Sequence, residues 1–234
     1  MTEHIFRDYD TTLRHLQEMV LSMAALARHN LERAIRALLD GDPDLAGAVI
    51  AADDDVDELE RRVDSTGLEV LLRFHPVAGD LRTVIAGMRV GTTLERISDH
   101  AVGIAKRARK LGRLGPPAPE ARLLEPLYGG AYALLRDALD AFTNRDPALG
   151  EALRERDREV DRIYRQLTRE FSARLEAHEG PAEAWVHLIF VLRALERIGD
   201  LAVNIGEEAV FLQCARDIRH EHRQPAAGAA PPES

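Results

Sequence analysis

The chain has 234 residues and a mass of 26.0 kDa, more than one average domain of ~100–200 residues and too little for two large unrelated ones. Hydrophobic residues make up 45% and aromatic residues only 5%, with Ala, Leu, Arg and Glu recurring throughout, which excludes a wholly disordered chain and disfavours an all-β one. A net charge of −9 and a pI of about 5.5 argue against a general electrostatic grip on nucleic acid and direct attention to cations and basic partners.

In chain order, Leu13, Leu16, Val20, Met23, Ala27, Leu31, Ala34 and Leu38 recur at threes and fours, the stripe of an amphipathic helix over 4–40. Asp42-Pro43 is an N-cap followed by proline at the first helical position, and it opens a helix over 44–74. That helix stops at His75-Pro76, because proline disfavours helical geometry in the residue before it. A third helix spans 78–111, and the run LGRLGPPAP over 111–119 reads as a linker. Helices over 119–144, 148–178 and 182–216 follow, the middle one opened by Asp146-Pro147 and closed before Gly180-Pro181. The tail from 219 to 234, rich in Pro, Ala and Gly, reads as disordered.

The two halves repeat. Residues 34–57 align without gaps to 138–161, with nine of 24 positions identical, and residues 93–105 align to 194–206, with eight of 13 identical. The fold class is therefore all-α: two tandem antiparallel three-helix bundles, 1–113 and 114–218, with long helices and short loops.

The repeat keeps acidic residues four apart. Asp53 and Asp57 match Asp157 and Asp161; Glu95 and Asp99 match Glu196 and Asp200. Side chains at i and i+4 share one helix face, where like charges repel, so a pair kept in both halves asks for a counter-charge. Adjacent helices of a bundle would bring two pairs together, a carboxylate-rich donor set suited to hard cations or to multinuclear centres. The plain alternative is a solvated face on which these acids pair with Arg61, Arg96, Arg162 or Arg197. Residues 40–64 carry ten acidic and two basic residues, net −8, against seven and six, net −1, over 146–170, so the first group is expected to hold cations more tightly. His100, beside Asp99, is either an ordinary hydrogen-bonded histidine or a further ligand, and its counterpart is Leu201.

No Walker loop, GxGxxG turn, GxSxG elbow or CxxC pair is present, which leaves catalysis without a visible nucleophile. The chain also lacks Glu-x-x-His, the mark of ferritin-like di-iron bundles. The first residues, MTEHIFRDYD, have no signal-peptide pattern, the single Cys214 has no intramolecular partner, and the longest apolar run, VHLIFVLRAL, is interrupted by Arg193. A cytoplasmic protein that meets membranes only through partners is the expectation. The basic segment KRARKLGRLG over 106–115 suits the C-terminal end of a helix dipole, with an anion site as the alternative.

The repeated ERISDHAVGI and ERIGDLAVNI blocks, each preceded by an acidic DDDVD or DREVD helix, resemble the PhoU family of phosphate-uptake regulators. The likeness runs over about residues 4–216, including the opening IFRDYDTTLRHL. It implies a non-enzymatic adaptor between the ATPase subunit of a phosphate ABC transporter and a phosphate-sensing histidine kinase, a negative regulator of both, in a family that includes homodimers. It also implies multinuclear iron or zinc clusters, or other divalent cations, held by Asp53, Asp57, Glu95 and Asp99 in one site and by Asp157, Asp161, Glu196 and Asp200 in the other. The family block often reads D-H-A-x-N-I, whereas the first repeat has His100 with Gly103 and the second has Leu201 with Asn204. The alternatives are a metalloenzyme, hydrolase or oxidase, built on the carboxylates, and a metal-free helical scaffold.

Overall fold

A computed structural model describes residues 2–114 and 119–219. The first bundle comprises α1 (Thr2–Asp40), α2 (Pro43–Ala51), α3 (Asp53–Phe74) and α4 (Ala78–Leu114). The second comprises a 3₁₀ segment (Pro119–Leu124), then α5 (Glu125–Asn144), α6 (Pro147–Glu176) and α7 (Ala182–Cys214). No strand occurs among the described residues. The tail expectation falls on residues beyond Arg219 and lies outside the described part.

The proline caps act as their sequence suggests. The Asp42 carboxylate accepts from the backbone N–H groups of Asp44 and Leu45 at 3.0 and 2.9 Å, and Asp146 accepts from Ala148 and Leu149 at 3.0 Å each. His75 follows α3 at φ 48°, a left-handed stop set by Pro76 next to it.

Two elements differ from the sequence expectation. The helix expected over 44–74 is two helices, α2 and α3, separated by a turn at Ala52 with φ −77° and ψ −2°. Asp53, Asp54 and Asp55 then form the first turn of α3, where the positive end of the helix dipole favours carboxylates. In the second unit α6 is unbroken. The helix expected over 119–144 starts as a 3₁₀ segment and becomes α-helical only at Glu125, with Pro126 in its first turn.

The bundles lie side by side, with the third helix of each, α4 and α7, packed on one another. One apolar cluster runs through both units, from Leu16 and Met23 through Leu94 and Ile97 to Leu134, Phe171 and Leu195. Polar ties cross the seam. Arg82 Nε donates to the Leu212 carbonyl at 3.3 Å, Arg145 Nη2 to Thr83 Oγ1 at 3.3 Å, and Arg89 Nη1 to the buried Glu208 carboxylate at 3.5 Å. Beyond α7 the chain turns at Ala215, φ 56°, and buries Ile218, whose carbonyl accepts from Arg154. Arg154 also holds the buried Glu207, from Nε at 3.0 Å and from Nη2 at 2.6 Å.

Candidate metal centres

Helix α3 packs along α4, and α6 along α7, so each repeat sets its two acidic pairs on neighbouring helices. Their mutual influence is legible in their ionisation. Burial pushes the Glu95 carboxyl up to about 7, helped by the charges of Asp99, Glu60 and Asp57 and by a hydrogen bond with Asp99. Asp53 is raised too, first by burial and then by Asp99 and Asp57. All four acids expected at the first site therefore share one electrostatic neighbourhood, and Glu60 joins them.

The second unit repeats the arrangement. Asp157 is pushed up to about 7 by burial and then by Asp200, Asp161 and Glu196. Glu196 and Asp200 are raised as well, chiefly by burial, with Arg197 opposing. A side chain at Gly199 would place its Cβ 3.2 Å from Asp157 Oδ1, so the glycine between Glu196 and Asp200 leaves the room that the Asp157 carboxylate occupies. Ser98 holds that position in the first repeat and is buried, with Asn30 Nδ2 donating to its hydroxyl at 3.4 Å.

The arginine alternative holds only in the second unit. Arg197 lies 3.2 Å from Asp200 and 3.7 Å from Glu196, and Arg165 lies 3.9 Å from Asp161. Arg61 and Arg162 pair instead with Glu58 and Glu159, outside the repeated set. Among the described residues, Asp53, Asp57, Glu95 and Asp99 form no ion pair. His100 is half-buried, and burial lowers its pKa, with Arg96 and with Arg197 of the other bundle acting in the same sense against Asp99. It stands toward the seam between the units as well as beside the first site.

No three His, Cys, Asp or Glu side chains among the described residues converge as an ion's ligand shell. What each unit offers is a set of neighbouring carboxylates, among which burial and the charge of the other acids raise the proton affinity of Asp53 and Glu95 in the first unit and of Asp157, Glu196 and Asp200 in the second. Hard oxygen donors that resist carrying their own charge are suited to a multiply charged cation, which removes the repulsion that each acid imposes on the next. Glu60 escaped the sequence reading because the repeat replaces it with Tyr164; the spacing Asp53, Asp57, Glu60 along one helix face was the available signal.

The family profile described as "PhoU domain" matches the chain twice, over residues 20–108 and 127–209. The phosphate-specific transport system accessory protein PhoU homolog of Rhizobium meliloti (strain 1021) is 33% identical over 209 residues, 89% of this chain and 88% of that protein. Its namesake in Caulobacter vibrioides is 34% identical over 207 residues, 88% of this chain and 90% of that protein. The crystal structure of PhoU from Pseudomonas aeruginosa superposes with a TM-score of 0.83 at 31% identity, covering 87% of this chain and 98% of that one. A PhoU crystal structure from Streptococcus pneumoniae, 24% identical, shares the fold with a TM-score of 0.81, over 90% of this chain and 99% of that one.

Proposed function

The chain belongs to the PhoU family, and from that premise we propose that it is a non-enzymatic regulator of phosphate uptake and phosphate-starvation signalling. The observation that carries the reading is the pairing of family membership with two matched carboxylate groups, one per bundle. The relatives named as accessory proteins of the phosphate-specific transport system support a place beside that transporter. The direct partners would be its ATPase subunit and the phosphate-sensing histidine kinase, both held in check when phosphate is ample. A rigid surface that binds one state of a partner better than another shifts that partner's equilibrium without any chemistry of its own.

Asp53, Asp57, Glu95 and Asp99 would hold iron, zinc or another divalent cation in the first bundle, and Asp157, Asp161, Glu196 and Asp200 in the second. A bound cation would supply the counter-charge that lets the facing helices carry eight ionised acids. Leu68 and Leu72, one turn apart and exposed on α3, offer an apolar face for a homodimer. No helix among the described residues is long and apolar enough to cross a membrane, which fits action through membrane-bound partners from the cytoplasmic side. The test is deletion of the gene: phosphate uptake and alkaline phosphatase expression rise under ample phosphate and return to normal on complementation. Unchanged uptake and expression in the deletion strain would sink the reading.

A further inference from the structure

The basic segment near the end of α4 builds a second kind of site. Lys106, Arg107, Arg109, Lys110 and Arg113 line one groove of about 350 Å³. Its floor is open at Gly103, where an added Cβ would meet nothing within 4 Å, and Ile50 of α2 forms part of the wall. Four of the five cations are exposed, and none forms an ion pair among the described residues. Arg107, half-buried, is held in place: its guanidinium lies 4.2 Å from the centroid of the Phe190 ring, with Nη1 3.5 Å from His187 Nδ1. The chain has 31 Lys and Arg residues, yet its only two lysines, Lys106 and Lys110, are both here.

The helix dipole does not explain this cluster, because the molecule contains its own control. Helix α7 is the same helix of the second repeat, and no basic residue stands in its last turn. At the positions matching Lys106 and Arg107 it carries Glu207 and Glu208, both buried and paired with arginines. The cations that close α3 and α6, Arg73 and Arg174, are each neutralised by a glutamate four residues earlier. Helix α4 gathers five cations within eight positions, and none of them forms an ion pair among the described residues. In a protein of net charge −9, such a concentration of one sign calls for an anion from outside.

We propose that this groove binds a compact linear polyanion of the oligophosphate class. Lys106 to Arg113 spans ~10 Å at 1.5 Å rise per residue, longer than one tetrahedral oxyanion and matched by a chain of them. Arginine forks and lysine point charges together are the usual protein partners of phosphate oxygens. The surroundings select a small ligand over an extended one. Residues 40–64, net −8, include the α2 wall and Asp53, whose ionisation Lys106 favours. A flat anionic membrane or a long acidic helix would meet that repulsion, whereas a ligand confined to the groove sits within a Debye length of ~8 Å of the cations. The proposal rests on the groove's cations and not on metal at the carboxylates, and the test leaves Lys106, which acts on Asp53, unsubstituted.

The experiment titrates tripolyphosphate into the chelator-treated full-length protein at low salt by calorimetry, beside an Arg109→Gln/Lys110→Gln/Arg113→Gln variant. These side chains are exposed and unpaired, and circular dichroism checks that the helices remain. The expected result is one saturable site, weakened by salt, about tenfold weaker in the variant. Tripolyphosphate also protects Lys106 and Lys110 from acetylation, read by mass spectrometry. Absence of saturable binding, or equal affinity in the variant, overturns the proposal. Inorganic phosphate binding as tightly as tripolyphosphate overturns the linear ligand. Phosphatidylglycerol vesicles that bind and are not displaced by tripolyphosphate would make the groove a lipid site instead.

Discussion

Among single residues, the raised carboxyls set how the metal-free protein responds to pH. Glu95 and Asp157 titrate near 7 in the fold and near their ordinary carboxyl values of about 4 when unfolded. Between those values the native state holds protons that the unfolded chain has released, so stability falls as pH rises through that window and levels off above it. In the presence of a chelator the melting temperature therefore drops from pH 5 to pH 8, and Asp157→Asn flattens the decline; identical pH profiles for the two proteins would contradict the assignment. A cation that binds only the native carboxylates reverses the trend, adding ~2.7 kcal/mol at a hundredfold excess over its Kd. At this scale the repeat made the eight acids legible, since identities across two halves mark positions that both halves use. Glu60 was not legible that way, being present in one half only. Arg197 was, as a candidate counter-charge, but its choice of Asp200 and Glu196 depends on rotamers that spacing does not fix.

Among elements, the interval between paired helices is set by what stands at two matched positions. In the second unit Gly150 of α6 meets Gly206 of α7, and a Cβ added at Gly150 would lie 2.5 Å from the Gly206 carbonyl oxygen. The first repeat has Ala46 and Ala105 at those positions, both fully buried, so its helices must accommodate two methyl groups that the second pair excludes. Gly150→Ala forces backbone against backbone and is expected to cost ~1–3 kcal/mol in chemical denaturation. Gly129→Ala, at an exposed site on α5 with nothing within 4 Å, is expected to gain ~0.5–1 kcal/mol by restricting the unfolded chain. Two changes of identical chemistry thus have opposite signs, and a loss at Gly129 or a gain at Gly150 would contradict the packing described. The helix starts at Pro43 and Pro147 were readable because cap and proline act locally. The break at Ala52 and the 3₁₀ opening of the second unit were not, since apolar periodicity runs across both and only the run of three aspartates and Pro126 hinted at a restart.

For the whole molecule, the duplicated sequence suggests two units while the packing makes them one folding body. Helix α4 buries residues along nearly its whole length, from Thr83 to Ala108, because it serves its own bundle on one side and α7 on the other. Helix α7 is placed likewise, and the ties of Arg82 to Leu212 and Arg89 to Glu208 close the seam with polar contacts. A unit separated from its neighbour would expose that seam to water, so neither is expected to unfold alone. The single tryptophan, Trp185, lies in the second unit, buried against Phe171, and reports that unit's packing, while far-ultraviolet dichroism reports the helices of both. Val63 is fully buried on α3, a helix whose packing partners lie in the first bundle. Val63→Ala should cost ~1–3 kcal/mol through lost burial and the cavity left behind. If the two bundles form one cooperative body, that distant loss moves the Trp185 fluorescence transition by the same amount as the dichroism transition. If they are independent, the fluorescence midpoint stays where it was and the dichroism curve splits in two. The coincident shift is the expected outcome, because the apolar cluster that holds Val63 is continuous with the one that holds Trp185.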